Sequence, residues 1–217
     1  MPVAALAVVT PLVAFAIAAR LPAAPPPGGS RLPFHRVART IARFGAVLTL
    51  AAVPYATLLA FLGLRYASLG WRGEAWALAA FGTGYVLVRV FLADLPARFG
   101  GQRTALASLL VAATGQMLII VAAGPPMVTI GALLAGLGFS MVYPALGVEL
   151  LHRVPAASRG AVIGGFSAFF DIALGGAGPV LGPIADYVGF GAVFAAAGVS
   201  LTGAIALLAT APRVTTD

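Results

Sequence analysis

The sequence predicts an all-α membrane protein, a polytopic helical bundle of about seven transmembrane helices, and three observations predict it. Hydrophobic residues make up 61% of the 217 residues and charged ones only 9%, too few to cover the surface of a soluble domain. The uncharged residues come in long blocks, at 1–19, 44–64, 104–148 and 187–212, and a bilayer helix needs about 20 such residues. The arginines fall in the short segments between blocks, where positive charge sets topology.

Taken in chain order, the first span is 2–19. It has the length of a signal peptide, but its positive charge, Arg20, follows it, so it reads as a retained helix ending in the cytoplasm. Residues 20–43 form a cytoplasmic loop in two parts. "LPAAPPPGG" (21–29) is a stiff linker. "SRLPFHRVARTIARF" (30–44) sets Phe34, Val37, Ile41 and Phe44 at helical spacing, with Arg36, Arg39 and Arg43 off that stripe. This predicts a basic amphipathic helix on the inner membrane face, with a flexible basic linker as the alternative.

A six-helix bundle over 44–210 follows, with spans at 44–64, 74–94, 104–123, 125–149, 160–184 and 188–210. Gly124-Pro125-Pro126 separates the third of these from the fourth, and Tyr187-Val188-Gly189 the fifth from the sixth. Residues 211–217 are a cytoplasmic tail. With the first span running inward, Arg20, Arg31, Arg36, Arg39, Arg43, Arg98, Arg103, Arg153, Arg159 and Arg213 lie inside, and Arg65 and Arg72 outside. The positive-inside rule selects this orientation. Arg89 lies within a span, close enough to its inner end to snorkel.

All 13 basic residues are arginine and there is no cysteine, so disulfides and thiolate metal sites are excluded. The arginines point to the lipid bilayer as partner and not to nucleic acid. No phosphate-binding loop and no metal-ligand spacing occurs, and His35 and His152 have no clustered partner. Neither an enzyme nor a cofactor is predicted.

One carboxylate interrupts an apolar stretch, Asp171 in "FSAFFDIALGGAGPVLGP" (166–183). Twelve residues from Arg159, it lies about 18 Å along a helix, near the middle of a hydrocarbon core about 30 Å thick. An acid there costs about 2.5–3.5 kcal/mol and marks a functional site by default; a structural acid hydrogen-bonded between helices is the alternative. Gly164, Ala168, Asp171, Gly175, Gly178 and Gly182 share one face, and small faces permit close helix packing. Pro179 would bend this helix. Phe166, Phe169 and Phe170 line a substrate cavity or face lipid. The tyrosines of Pro54-Tyr55 and Tyr143-Pro144, at expected kinks, reach the cavity or sit at packing contacts. Thr114 and Gln116 are expected to hydrogen-bond between helices.

"ADLPARFGGQR" (93–103) lies between the second and third helix of the bundle. It resembles the G-x-L-x-D-R-x-G-R-R motif of the major facilitator superfamily, matching at Leu95, Arg98, Phe99, Gly100 and Arg103, with Ala93 for the usual glycine and Ala97 for the usual aspartate. "ELLHRVPAASRGAVIG" (149–164) is similar to the family's inner loop between the fourth and fifth helices of a half, through Glu149, Arg153, Arg159 and Gly160. "GGAGPVLG" (175–182) is similar to the glycine-proline motif of antiporter members. The nearest look is to the bacterial efflux-permease branch, often labelled sugar or drug efflux.

The resemblance implies helix 6 and helices 7–12 of a twelve-helix transporter in the bacterial inner membrane, C-terminus in the cytoplasm. It implies proton-coupled efflux of a small solute by alternating access, without ATP hydrolysis. Leu95, Arg98, Gly100 and Arg103 would form the inner gate, supported by Glu149 and Arg159, with Glu149 as a natural partner of the arginines. Asp171, Phe170 and Tyr143 would serve coupling and the solute pathway; Gly164, Gly175, Gly178, Pro179 and Gly182 would serve packing and bending. The chain would supply one half and one extra helix, so most of the other half is expected to be missing, which makes an N-terminal half or a second copy the expected protein partner. A passive pore subunit working as an oligomer, or a truncated remnant without transport, are the alternatives.

Overall fold

The computed structural model describes residues 2–20 and 33–211, leaving out the side chains of 2–8, 18 and 34. The linker at 21–29, Arg31, Arg213 and nearly all of the tail lie outside the described residues. Helices α1 (Pro2–Arg20), α2 (Phe34–Ser68), α3 (Glu74–Phe91), α4 (Leu95–Phe99), α5 (Gly101–Ile120), α6 (Pro125–Leu151), α7 (Arg159–Val188) and α8 (Phe190–Ala209) account for most of the chain, with a 3₁₀ turn at Ala156–Ser158 before α7. Among the described residues there is no strand. Five helices, α2, α5, α6, α7 and α8, are long and apolar enough to cross a bilayer. α1 and α3, with 19 and 18 residues, complete a set of seven long helices. The chain is an integral membrane protein.

Two boundaries differ from the sequence expectation. The basic segment is not a separate helix. It is the first three turns of α2, and Val37, Ile41 and Phe44 are buried within the bundle. Gly45 follows Arg43 and Phe44 as a glycine stop signal would, but the Phe169 ring stands where its Cβ would be, so it serves close packing with α7 and the helix runs on. Likewise α7 runs past residue 184 to Val188, continuous through Pro179 and Pro183, so Asp186 and Tyr187 are helical.

The core is built from two sets of helices. α6 packs most extensively on α5 and α3, and α2 on α7 and α8; contacts of α5 with α8 and of α2 with α6 join the sets. Glycines set the spacing around α6. A Cβ on Gly136 would collide with the Phe81 backbone, and one on Gly138 with the backbone of Ala112. Such close approach is how helices associate where lipid removes the hydrophobic drive between them.

Polar side chains tie helices together, within the sets and between them, through backbone carbonyls. Pro54 sits inside α2 and has no N–H for the Leu50 carbonyl. Ser200 of α8 donates to that carbonyl at 2.8 Å. Gln116 of α5 donates to Phe194 O at 2.8 Å and Ser140 of α6 to Tyr85 O at 2.8 Å. Thr114 bonds instead to Leu110 in its own helix. At the other end of α2, Arg65 donates to Ile119 O at 2.9 Å and lies over the Phe194 ring, capping the C-terminus of α5.

Candidate functional site

Asp171 is exposed on α7, and among the described residues it makes no hydrogen bond or ion pair. Ala168, Gly175 and Gly178 on the same face are exposed too, and nothing lies within 4 Å of where a Cβ on Gly164, Gly175, Gly178 or Gly182 would stand. Among the described residues, the small-residue face therefore has open space at Gly164, Gly175, Gly178 and Gly182. The opposite face of α7, with Val162, Phe166, Ala173, Ala177 and Leu181, is buried. It is held to α2 by Thr49, which donates to Phe169 O at 2.8 Å, and by the Phe169 ring, which lies where a Cβ on Gly45 would be.

Next to Asp171 in the chain, Phe170 belongs to an aromatic cluster drawn from four helices. Tyr55 of α2 stacks on Phe81 of α3 (5.4 Å between centroids), Phe139 of α6 (5.1 Å) and Phe170 (6.1 Å). Tyr143 of α6 meets Phe166 at 5.0 Å and Phe170 edge-on at 6.5 Å, and its hydroxyl shares a 2.7 Å hydrogen bond with Ser167. Phe81, Phe139 and Phe166 are buried, while Tyr55, Tyr143 and Phe170 are half-buried. Phe166 is thus a core residue and does not face lipid. Sequence reasoning singled out Tyr143 and Phe170 but missed Phe81 and Phe139 as their neighbours. A signal was available: Phe81/Tyr85, Phe139/Tyr143 and Phe166/Phe170 are three i,i+4 aromatic pairs, each on one helix face.

The motif segment 93–103 folds as a turn and the short helix α4, which ends at Gly100 with φ 85°. That left-handed value favours glycine. Gly101 then brings α5 so close to α6 that an added Cβ would meet the Ala145 carbonyl and the backbone of Glu149. Glu149 does not pair with Arg98 or Arg103. It pairs with Arg153 one turn on, at 2.8 Å, and the Arg153 guanidinium covers the Phe44 ring at 4.8 Å. The competition is settled by reach, since an i,i+4 partner on the same helix surface is always adjacent. Arg98 pairs with Asp94 at 3.6 Å, in the open. Leu95 carries the carbonyl that Thr104 bonds, and Arg103 and Arg159 are exposed. Arg89 is exposed as well and stacks over Tyr85.

The helix ends carrying Arg43, Arg98, Arg103, Glu149 and Arg153 gather at one end of the bundle. Arg43 donates to Leu207 O at 3.0 Å and Thr210 Oγ1 at 2.9 Å, and Gln102 to Leu208 O at 3.0 Å. Among the described residues no group of acidic and histidine side chains is arranged to hold a metal ion. Chemically, the arrangement offers an exposed carboxylate midway along α7, an aromatic cluster that includes its chain neighbour Phe170, and a charged end.

The sequence profile of the Major Facilitator Superfamily matches residues 37–216. An uncharacterized MFS-type transporter of Pseudomonas aeruginosa is 40% identical over 179 residues, 82% of this chain and 44% of that protein. One from Salmonella typhimurium is 37% identical over 202 residues, 93% of this chain and 52% of that protein. One from Burkholderia mallei is 34% identical over 179 residues, covering 82% and 44%. The chain spans about half the length of the curated relatives it matches.

Proposed function

This chain belongs to the major facilitator superfamily, and we propose that it forms one six-helix half of a transporter that moves a small solute across the bacterial inner membrane. Transport is by alternating access, coupled to protons in the direction of efflux, with the C-terminus in the cytoplasm. A second six-helix half completes the cavity. The doubled length of the relatives is room for that half, and two parallel bundles, related by an axis along the membrane normal and rocking about a midplane site, are a general transporter architecture.

The observation that carries this reading is Asp171, exposed midway along α7 on a face that no other helix among the described residues covers. An acid at that depth must meet protein or water, because its side chain is too short to snorkel. Facing the second half, it can take up a proton or a cationic group in one state and release it in the other. The half-buried Tyr55, Tyr143 and Phe170 give the adjoining solute path an aromatic wall. Leu95, Arg98, Gly100 and Arg103, with Glu149 and Arg159, serve the inner gate; the exposed Arg103 and Arg159 are available to acidic groups of the other half.

The test is Asp171→Asn in the full-length transporter, in everted vesicles carrying a proton gradient and a panel of cationic dyes and sugars. The expected result is loss of gradient-driven flux with downhill exchange retained. Equal gradient-driven flux in the variant contradicts coupling through Asp171. Flux that ignores the gradient in both proteins favours a passive permease.

A further inference from the structure

An open pocket of about 380 Å³ lies at the arginine-rich end, lined by Arg39, Thr40, Arg43, Phe44 and Arg153. It is separate from Asp171 and from the motif segment at 93–103. Among the described residues its charge is unbalanced: three arginines face one carboxylate, Glu149, which is already paired with Arg153, a difference of +2 (three minus one). Arg43 is held in place by Leu207 O and Thr210 Oγ1 through one terminal nitrogen, and among the described residues its other terminal nitrogen has no hydrogen-bond partner. Arg39, one turn earlier, is exposed.

Depth identifies the ligand. Arg43 immediately precedes the uncharged run 44–64, Arg153 follows the uncharged run 104–148, and Leu207 and Thr210 stand near the end of the run 187–212. The pocket therefore sits where three apolar runs stop, at the boundary of the hydrocarbon. Lipid phosphates lie at that level, and arginine forks match phosphate oxygens. We propose that this pocket binds the phosphate of an anionic phospholipid headgroup, anchoring the start of α2 to the end of α8.

The probes are short-chain phosphatidylglycerol and phosphatidylcholine, titrated onto the purified chain in neutral detergent and followed by native mass spectrometry. Phosphatidylglycerol should be retained selectively. Arg39→Gln, which breaks no hydrogen bond of the fold, should weaken its binding roughly fivefold, as expected for one arginine at the membrane surface. Arg43→Gln should weaken it further, with folding checked by circular dichroism. Arg72→Gln, an exposed arginine at the opposite end, should change nothing. Equal retention of the two lipids, or equal losses in Arg39→Gln and Arg72→Gln, overturns the proposal. Inorganic phosphate, titrated alone, separates the sources: if it fills the site and phosphatidylglycerol does not compete with it, the lipid assignment is overturned.

Discussion

The glycines of α6 and those of α7 look alike in the sequence and stand in opposite situations. Gly131, Gly136 and Gly138 meet the backbones of α3 and α5 at contact distance, whereas Gly164, Gly175, Gly178 and Gly182 have open space where a side chain would go. A small-residue stripe on α6 is thus a seam within the chain. The stripe on α7 is a seam waiting for something outside it, and only that one contains a carboxylate. The difference teaches that small residues report close approach without saying to what. Asp171 tells the two apart, since an acid midway along a membrane-spanning helix needs protein or water against it and none of the described residues bonds it.

The comparison can be broken most forcefully at its packed side. Gly136→Val drives a side chain into the Phe81 backbone, which cannot yield as a flexible side chain would. It should cost about 3 kcal/mol, at the upper end of overpacking effects, seen as a large fall in the thermal unfolding midpoint. Gly178→Val, the matched change on α7, should leave the stability of this chain within about 0.5 kcal/mol. In the full-length protein it should nonetheless reduce flux at least tenfold, on the order of 1.4 kcal/mol or more in activation free energy. Equal destabilisation by the two variants would erase the distinction between the faces.

Smaller effects sharpen it. Ser200→Ala leaves the Leu50 carbonyl opposite Pro54 without its partner and should cost about 1 kcal/mol, read from chemical denaturation in detergent. Asp94→Asn removes an ion pair whose two side chains are 79% and 71% exposed. It should cost about 0.5 kcal/mol or less, so a strong loss of transport in that variant would reflect the inner gate and not the fold.

Much of this fold was legible because charge marks helix ends so sharply here. Gly124-Pro125 begins α6, and Gly189, at φ 96°, separates α7 from α8, both where turn chemistry put a break. The break before residue 44 failed because a change from amphipathic to apolar composition is not a stop signal. The stripe of Val37, Ile41 and Phe44 reads the same whether it meets lipid or protein. At the site, Asp171 and its face were legible from depth and spacing. The stacking of Tyr55 on Phe81, Phe139 and Phe170 was not, because it depends on which faces of four helices meet. The pairing of Glu149 with Arg153, in place of the motif arginines, was decided by local reach along α6.

The central claim is that the Asp171 face of α7 meets protein or water, not lipid. The chain has no cysteine, so a single cysteine can carry a spin label at Gly175, on that face, or at Val199, an α8 residue 73% exposed. Collision rates with oxygen, which concentrates in lipid, and with a water-soluble nickel chelate would be measured in the protein's own membrane. The label at 175 should show low oxygen access relative to the label at 199, with higher chelate access or protection from both. Oxygen access at 175 equal to that at 199 would put this face in lipid and contradict the account.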